Sequence, residues 1–202
     1  MKKLYENIEE INIKGDIGQL SELVRSMDIS LQNIADNSDQ LAGFLLKYSA
    51  TNKGLQYRKV VETATILRDE LFDASMELNE MQNQIVAYQN KMYRYEDMAA
   101  NAPSANPYLV QKRQIDVDSS GFQFNRTDML QVDAALRNYS ERVYHHIKSI
   151  NEKKDSIASV WQDQQYNDFS EFIIGITKKI FDAIRLYEDY VIHLEERIKE
   201  LD

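Results

Sequence analysis

Three histidines, at positions 145, 146 and 193, are the first residues in this chain whose chemistry could hold a metal or move a proton. A metal site in a helical bundle calls for carboxylates and histidines at helical spacing, as in Glu-x-x-His. Here the residues three places before His145, His146 and His193 are Arg142, Val143 and Tyr190, and Glu141 is followed three places on by Tyr144. Neighbouring side chains on a helix diverge by about 100°, so His145 and His146 do not clamp one ion. The pattern sets His146 near the apolar stripe and His145 nearer solvent. The chain has no cysteine, which excludes disulfides, thiolate zinc and a thiol nucleophile. It has no His-Glu-x-x-His, no glycine-rich phosphate loop and no nucleophile elbow. Carboxylates such as Asp69, Glu70, Glu195 and Glu196 stand beside Lys and Arg at exposed heptad positions and read as solvated helix faces. Tyr88, Tyr93 and Tyr95 would offer rings for base stacking, but only Lys91 and Arg94 among them are basic, so they read as amphipathic core edges. The expectation is a protein with no metal, no cofactor and no enzymatic activity.

The totals point the same way. With 33 acidic and 24 basic residues the net charge is −9, against the basic face that a nucleic-acid binder needs. Residues 1–102 carry 11 basic and 16 acidic side chains and the remainder 13 and 17, so the excess is spread out and serves solubility. The opening MKKLYENIEEINIK has lysines but no apolar run after them, which is not a Sec-type signal peptide. No window approaches 18 uninterrupted apolar residues, so no membrane span is expected.

The elements that must position these side chains are legible from two features. Only two prolines and six glycines occur in 202 residues, a scarcity that favours long helices. Apolar residues then recur at steps of three and four in four runs, with Ser38 the exception in the first. They cover Leu20 to Tyr48, Tyr57 to Tyr95, Met129 to Ile150, and Tyr166 to Leu201. A repeat of 3.5 residues held over several heptads marks helices that wrap around one another. The second, over about residues 55–100, would be about 69 Å long. Two consecutive steps of four at Ile176, Ile180 and Ile184 mark a stutter. Local unwinding is expected there, with Gly175 letting a neighbouring backbone approach.

The expected fold is all-α: long antiparallel coiled-coil hairpins forming an elongated four-helix bundle. Residues 1–102 hold a lead segment, with Leu4, Ile8 and Ile11 on one face, and a first hairpin turning at SATNKG, 49–54. Residues 103–126 form a connector containing both prolines and Gly121. In it QIDVDSSGFQF alternates with a period of two, so an irregular crossover and a small β-hairpin are both open. In either form Phe122 and Phe124 are candidates for docking a partner, or for pinning the connector to the bundle. Residues 127–202 form the second hairpin.

The single tryptophan, Trp161, falls where that second hairpin should turn, in VWQDQQYNDF. Placed there it closes the third helix, and Asp163 stands at the cap position of the fourth. Tyr166 and Phe169 follow in the first turns of the last helix. A buried indole covering the end of the apolar seam is one reading. The other comes from a resemblance. A helix, a W-x-G variant at the turn, and a second helix opening with aromatic residues resembles the WXG-type helical hairpins of bacterial type VII (ESX-like) secretion. The matching residues are Trp161, Gln162, Asp163, Tyr166 and Phe169, within residues 127–202. Here Asp163 stands where the family has glycine. Val191 and Leu194 stand four residues after Tyr187 and Tyr190, where secreted members carry Asp or Glu.

The resemblance implies pairing of hairpins into four-helix bundles and a turn tryptophan read by a membrane-associated ATPase. The candidate partner-binding residues are therefore Trp161, Asp163, Tyr166, Phe169, Phe122 and Phe124. The expected partners are other proteins, among them a helical-hairpin partner, a secretion ATPase or a second copy of the chain. On this reading the chain is an adaptor, chaperone or substrate of a secretion or effector system, cytoplasmic or exported without a Sec signal. The alternative is a cytosolic coiled-coil subunit that holds together a larger assembly unrelated to secretion.

Overall fold

The computed structural model describes residues 16–96, 115–162 and 164–200. The lead segment 1–14, the connector up to residue 114 and Asp163 lie outside the described residues. Four helices follow in order: α1 (Ile17–Ser49), α2 (Leu55–Tyr95), α3 (Arg126–Ser156) and α4 (Gln164–Lys199). Two of them begin at a side-chain cap. The Asp16 carboxylate accepts from the backbone N–H of Gln19 at 3.2 Å, capping α1. The Asn125 side-chain oxygen accepts from the N–H of Asp128 at 3.2 Å, capping α3. The protein is thus an all-α helical bundle. Among the described residues no helix is long and apolar enough to cross a membrane.

No strand occurs among the described residues; an isolated antiparallel bridge joins Lys53 to Gln123. Within the connector, residues 115–125 bend at Ser120 and Gly121. Gln123 takes its partner from the α1–α2 turn, because the backbone of Lys53 presents a donor and an acceptor at that point.

The chain divides into two compact units that cut across both hairpins, each taking a segment of all four helices. One unit holds the beginning of α1, the end of α2, the end of α3 and the beginning of α4. Its core includes Leu23, Met27, Leu78, Ile85, Ile147, Ile150, Phe169 and Ile173. Two glutamines of α2 are fully buried in it. Gln82 donates from Nε2 to the Val24 carbonyl at 2.9 Å, and Gln89 to the Ile17 carbonyl at 3.0 Å and the Ser21 hydroxyl at 2.8 Å. A buried amide costs free energy unless bonded, so these contacts select one register of α2 against α1.

The second unit holds the end of α1, the beginning of α2, residues 115–145 and the end of α4 among the described residues. Its core includes Ile34, Leu45, Tyr57, Leu71, Leu136, Tyr139 and Tyr187. Arg68 is fully buried among them.

All positions of the α1 run are buried, Ser38 included, and the α4 run is buried from Phe169 to Ile198. The α2 run departs from expectation. Leu67 and Ala74 are only half-buried and Tyr95 is exposed, while Arg68, Ser75, Gln82 and Gln89 are buried. Those four polar residues sit seven apart, on the same stripe of the helix. Apolar spacing could not register them, because it ignores polar residues that find partners inside.

The role expected for Gly175 is corrected. Among the described residues a Cβ at this position meets nothing within 4 Å, so none of their backbone approaches it, and the residue is exposed. A mid-helix glycine with open space above it carries only the entropic penalty of its freedom. Gly175→Ala should therefore raise the unfolding free energy by about 0.5–1 kcal/mol, readable as a higher urea midpoint.

Candidate functional site

Two places carry the residues singled out by sequence. The first is the α3–α4 turn, in the first unit. Helix α3 ends at Ser156, five residues before Trp161, so the tryptophan does not close that helix. Residues 157–160 turn, and the Trp161 N–H donates to the Ile157 carbonyl at 2.9 Å. This folds the indole back into the core, where only 1% of the residue is exposed. Its ring stacks on Tyr88 of α2 at 5.4 Å and on Phe169 of α4 at 5.5 Å, with Tyr166 edge-on at 5.6 Å. Trp161, Tyr166 and Phe169 are thus brought together, and Tyr88 joins them. Val160 and Gln162, on either side of Trp161, are exposed instead.

The second place lies in the other unit, around Phe122 and Phe124. It begins with the clamp that holds the connector to the α1–α2 turn. Lys53 and Gln123 exchange backbone hydrogen bonds at 2.7 and 3.2 Å, and the Gly54 N–H donates to the Asp118 carbonyl at 2.8 Å. The Asn52 side-chain oxygen accepts from the Asn125 N–H at 2.7 Å. Its amide nitrogen and the Thr51 hydroxyl both donate to Asp128, at 3.1 and 2.7 Å. Asn52 is fully buried, and every one of these contacts joins the α1–α2 turn to the connector or to the start of α3. The notable turn signal Asn52…Gly54 therefore does more than reverse the chain; it anchors the loop that carries the phenylalanines.

Gly54 is required by this geometry. Its φ is +101°, and a Cβ would stand 2.8 Å from the Gly121 carbonyl oxygen. Gly54→Ala should cost about 1–3 kcal/mol, from backbone strain and a displaced connector. Urea unfolding reads the loss, and faster amide exchange at Gln123 locates it.

Asp118 accepts from the Ser120 hydroxyl and the Ser120 N–H, and pairs with Lys53 at 3.1 Å. These contacts favour its charged form, those of Ser120 most, and hold its pKa down to about 2 from 3.8. A depressed carboxylate stabilises the fold above its unfolded pKa and loses that contribution as pH falls through its folded one. The clamp should therefore be fully formed above about pH 4 and loosen as pH approaches about 2. A carbon-detected NMR titration of the Asp118 carboxyl checks this, and Ser120→Ala should move its midpoint up.

Held this way, Phe122 and Phe124 lie nearly parallel, 6.4 Å between centroids, with Phe122 72% exposed. They edge an open groove of about 520 Å³ completed by the first turns of α2 and the last turns of α4. Its floor is apolar: Val60 and Leu194 are buried there, and the Tyr190 hydroxyl donates to the Val60 carbonyl at 3.4 Å. Burial pushes the Tyr190 phenol up to about 12, so the floor carries no charge at neutral pH. Its walls bear Lys59, His193 and Arg197, with Glu200 paired to Arg197 at 3.1 Å.

His193 thus lines a groove with basic and aromatic neighbours. His145 is exposed and His146 half-buried. Among the described residues no group of three or more His, Cys, Asp or Glu side chains is placed to hold a metal. Spacing along the chain could not bring Lys59, His193 and Arg197 together, because α2 and α4 meet only in the tertiary fold. No protein family, no curated protein and no solved structure matches this chain.

Proposed function

We propose that this chain is a non-enzymatic helical component that works by binding other proteins. The observation that carries the reading is the groove beside Phe122. An aromatic side chain 72% exposed, on a loop fixed by backbone bonds to a neighbouring turn, is a surface built to be covered. Buried aromatic anchors with adjacent charges are what protein interfaces use.

Within that reading, the second hairpin is the WXG-like part of a type VII-like secretion or effector system, where the chain acts as adaptor, chaperone or substrate. In support, Trp161 lies between two long helices and meets the aromatic residues that open the second of them. The first hairpin then supplies in one chain the packing partner that small hairpins obtain by dimerising, and Tyr88 of α2 is its contact to Trp161. The hairpins are antiparallel coiled coils on this view, supported by the glutamine contacts, whose α1 partners fall from Val24 to Ile17 as α2 rises from Gln82 to Gln89. The protein works in the cytoplasm or is exported by that system. The second reading, a cytosolic coiled-coil subunit of an unrelated assembly, is favoured by helices of 41 and 36 residues.

A pull-down of the full chain from its native host, with mass spectrometry, tests both. Wild type is compared with Phe122→Ala and with Gln162→Ala, two exposed positions that leave the core intact. Capture of a secretion ATPase, a small hairpin protein or a toxin, lost in Gln162→Ala, supports the secretion reading. A constant set of unrelated subunits supports the scaffold. No specific capture by wild type would overturn the interaction reading itself.

A further inference from the structure

The groove beside Phe122 differs in charge from the chain that contains it. The protein carries −9 overall, yet Lys59, His193 and Arg197 line this one cleft against a single carboxylate, Glu200. Glu200 is engaged by Arg197. Lys59 has no carboxylate within ion-pair distance among the described residues. The remaining lining is aromatic, aliphatic or neutral, with Gln56 and Thr63 as the polar groups on the α2 side. Lys59 belongs to α2 and Arg197 to α4, so the cations come from both helices while the phenylalanines come from the connector. A volume of about 520 Å³ falls in the range of pockets that enclose a large side chain and its neighbours.

We propose that this groove docks an acidic segment of a partner protein. One bulky aromatic side chain of that segment enters between Phe122, Phe124 and Leu194, and carboxylates on either side of it meet Lys59 and Arg197. Charge complementarity selects this occupant: a basic segment would meet two like charges, and a neutral apolar one would leave Lys59 without a carboxylate. A second copy of this acidic chain would satisfy the charge but brings its own groove cations into any symmetric contact. The partner's carboxylates compete with Glu200 for Arg197, so Glu200 acts as an internal placeholder. This inference rests on the interaction reading above and adds the chemistry of the partner.

The test uses the full chain and a fluorescein-labelled peptide with the core Glu-Glu-Phe-Glu-Glu, read by anisotropy. Two control peptides replace the glutamates by lysine or the phenylalanine by alanine. Each control should bind at least about tenfold more weakly. Raising salt from about 0.05 to about 0.5 M should weaken the acidic peptide, because the charges are exposed. Phe122→Ala and the Lys59→Glu, Arg197→Glu pair should each lose about tenfold in affinity, with helicity and Tm unchanged. Glu200→Gln should tighten binding by about threefold, a gain that misfolding does not produce.

Equal binding of the lysine peptide, or unchanged affinity in the Lys59→Glu, Arg197→Glu variant, overturns the proposal. So does a dimer in sedimentation that Phe122→Ala dissolves, since a second copy would then fill the groove. If wild type captures specific proteins from its host and the charge-reversed variant captures them equally well, the groove proposal fails while the interaction reading stands. If wild type captures none, it is the interaction reading that fails.

Discussion

Trp161→Ala should lower the unfolding free energy by about 3–5 kcal/mol, the loss usual for a large aromatic side chain removed from a packed core. The residue is 1% exposed and heads the fully buried side chains by size. Its ring meets Tyr88, Phe169 and Tyr166 at 5.4, 5.5 and 5.6 Å, so removing it leaves three aromatic rings facing a void. Each of those contacts also contributes beyond area, through offset or edge geometry. Trp161→Phe should cost much less. It keeps a ring in place, and the indole Nε1 has no hydrogen-bond partner among the described residues to lose. Urea denaturation followed by the far-ultraviolet helical signal reads both variants. A loss below about 1 kcal/mol for alanine would mean that the hairpin end repacks and the indole is not integral to the core. Partner binding at this corner is tested separately at Gln162, because Trp161 offers almost no surface to a partner.

The second large effect concerns Arg68. Its side chain is fully buried, and Nε and Nη2 reach the Asp69 carboxylate at 2.9 and 2.6 Å. Asp69 is 24% exposed, so the pair runs from the core to its edge. Nη1 has no partner among the described residues, while Tyr139 donates to the Arg68 carbonyl at 3.4 Å. Asp69→Asn should cost about 3–5 kcal/mol, because it leaves a guanidinium charge in the core without its carboxylate. Arg68→Met should be neutral or stabilising by about 1–4 kcal/mol, since it fills the same space and no longer desolvates a charge. In the Arg68→Met background Asp69→Asn should then cost little, and the cycle isolates the coupling. Equal losses for Asp69→Asn with and without Arg68 would show that the carboxylate serves some other contact.

The buried polar series on α2 shows why part of the fold was hidden. Apolar spacing located all four helices and most of the core, because the hydrophobic period is a property of the chain itself. Spacing placed Leu67 and Ala74 on the buried stripe of α2, yet Arg68 and Ser75 lie deeper. A polar residue enters a core when a partner awaits it, and for Gln82 and Gln89 that partner belongs to another helix. The Val24 carbonyl that receives Gln82 stands 58 positions away. Gly175 shows the reverse error: a glycine within an apolar run suggested a close approach, yet only packing reveals whether a neighbour is there.

The candidate site was legible to the same extent. Phe122 and Phe124 stood out as apolar residues in a stretch rich in turn formers, and Trp161 as a lone indole between helices. Where each one faces was decided by tertiary contacts. Trp161 turns inward because residues 157–160 fold back and Tyr88 supplies a ring from α2. Phe122 turns outward because Lys53, Gly54 and Asn52 bind the connector backbone on its other side.

By itself the sequence determined the all-α class, the helices and the stripes they bury, since these follow from local preference and period. Only the tertiary structure decided which polar residues are buried, which aromatic side chain meets solvent, and that Lys59, His193 and Arg197 share one groove. Those outcomes depend on contacts between residues far apart in the chain, and desolvation and charge pairing act on atoms that the fold alone brings together.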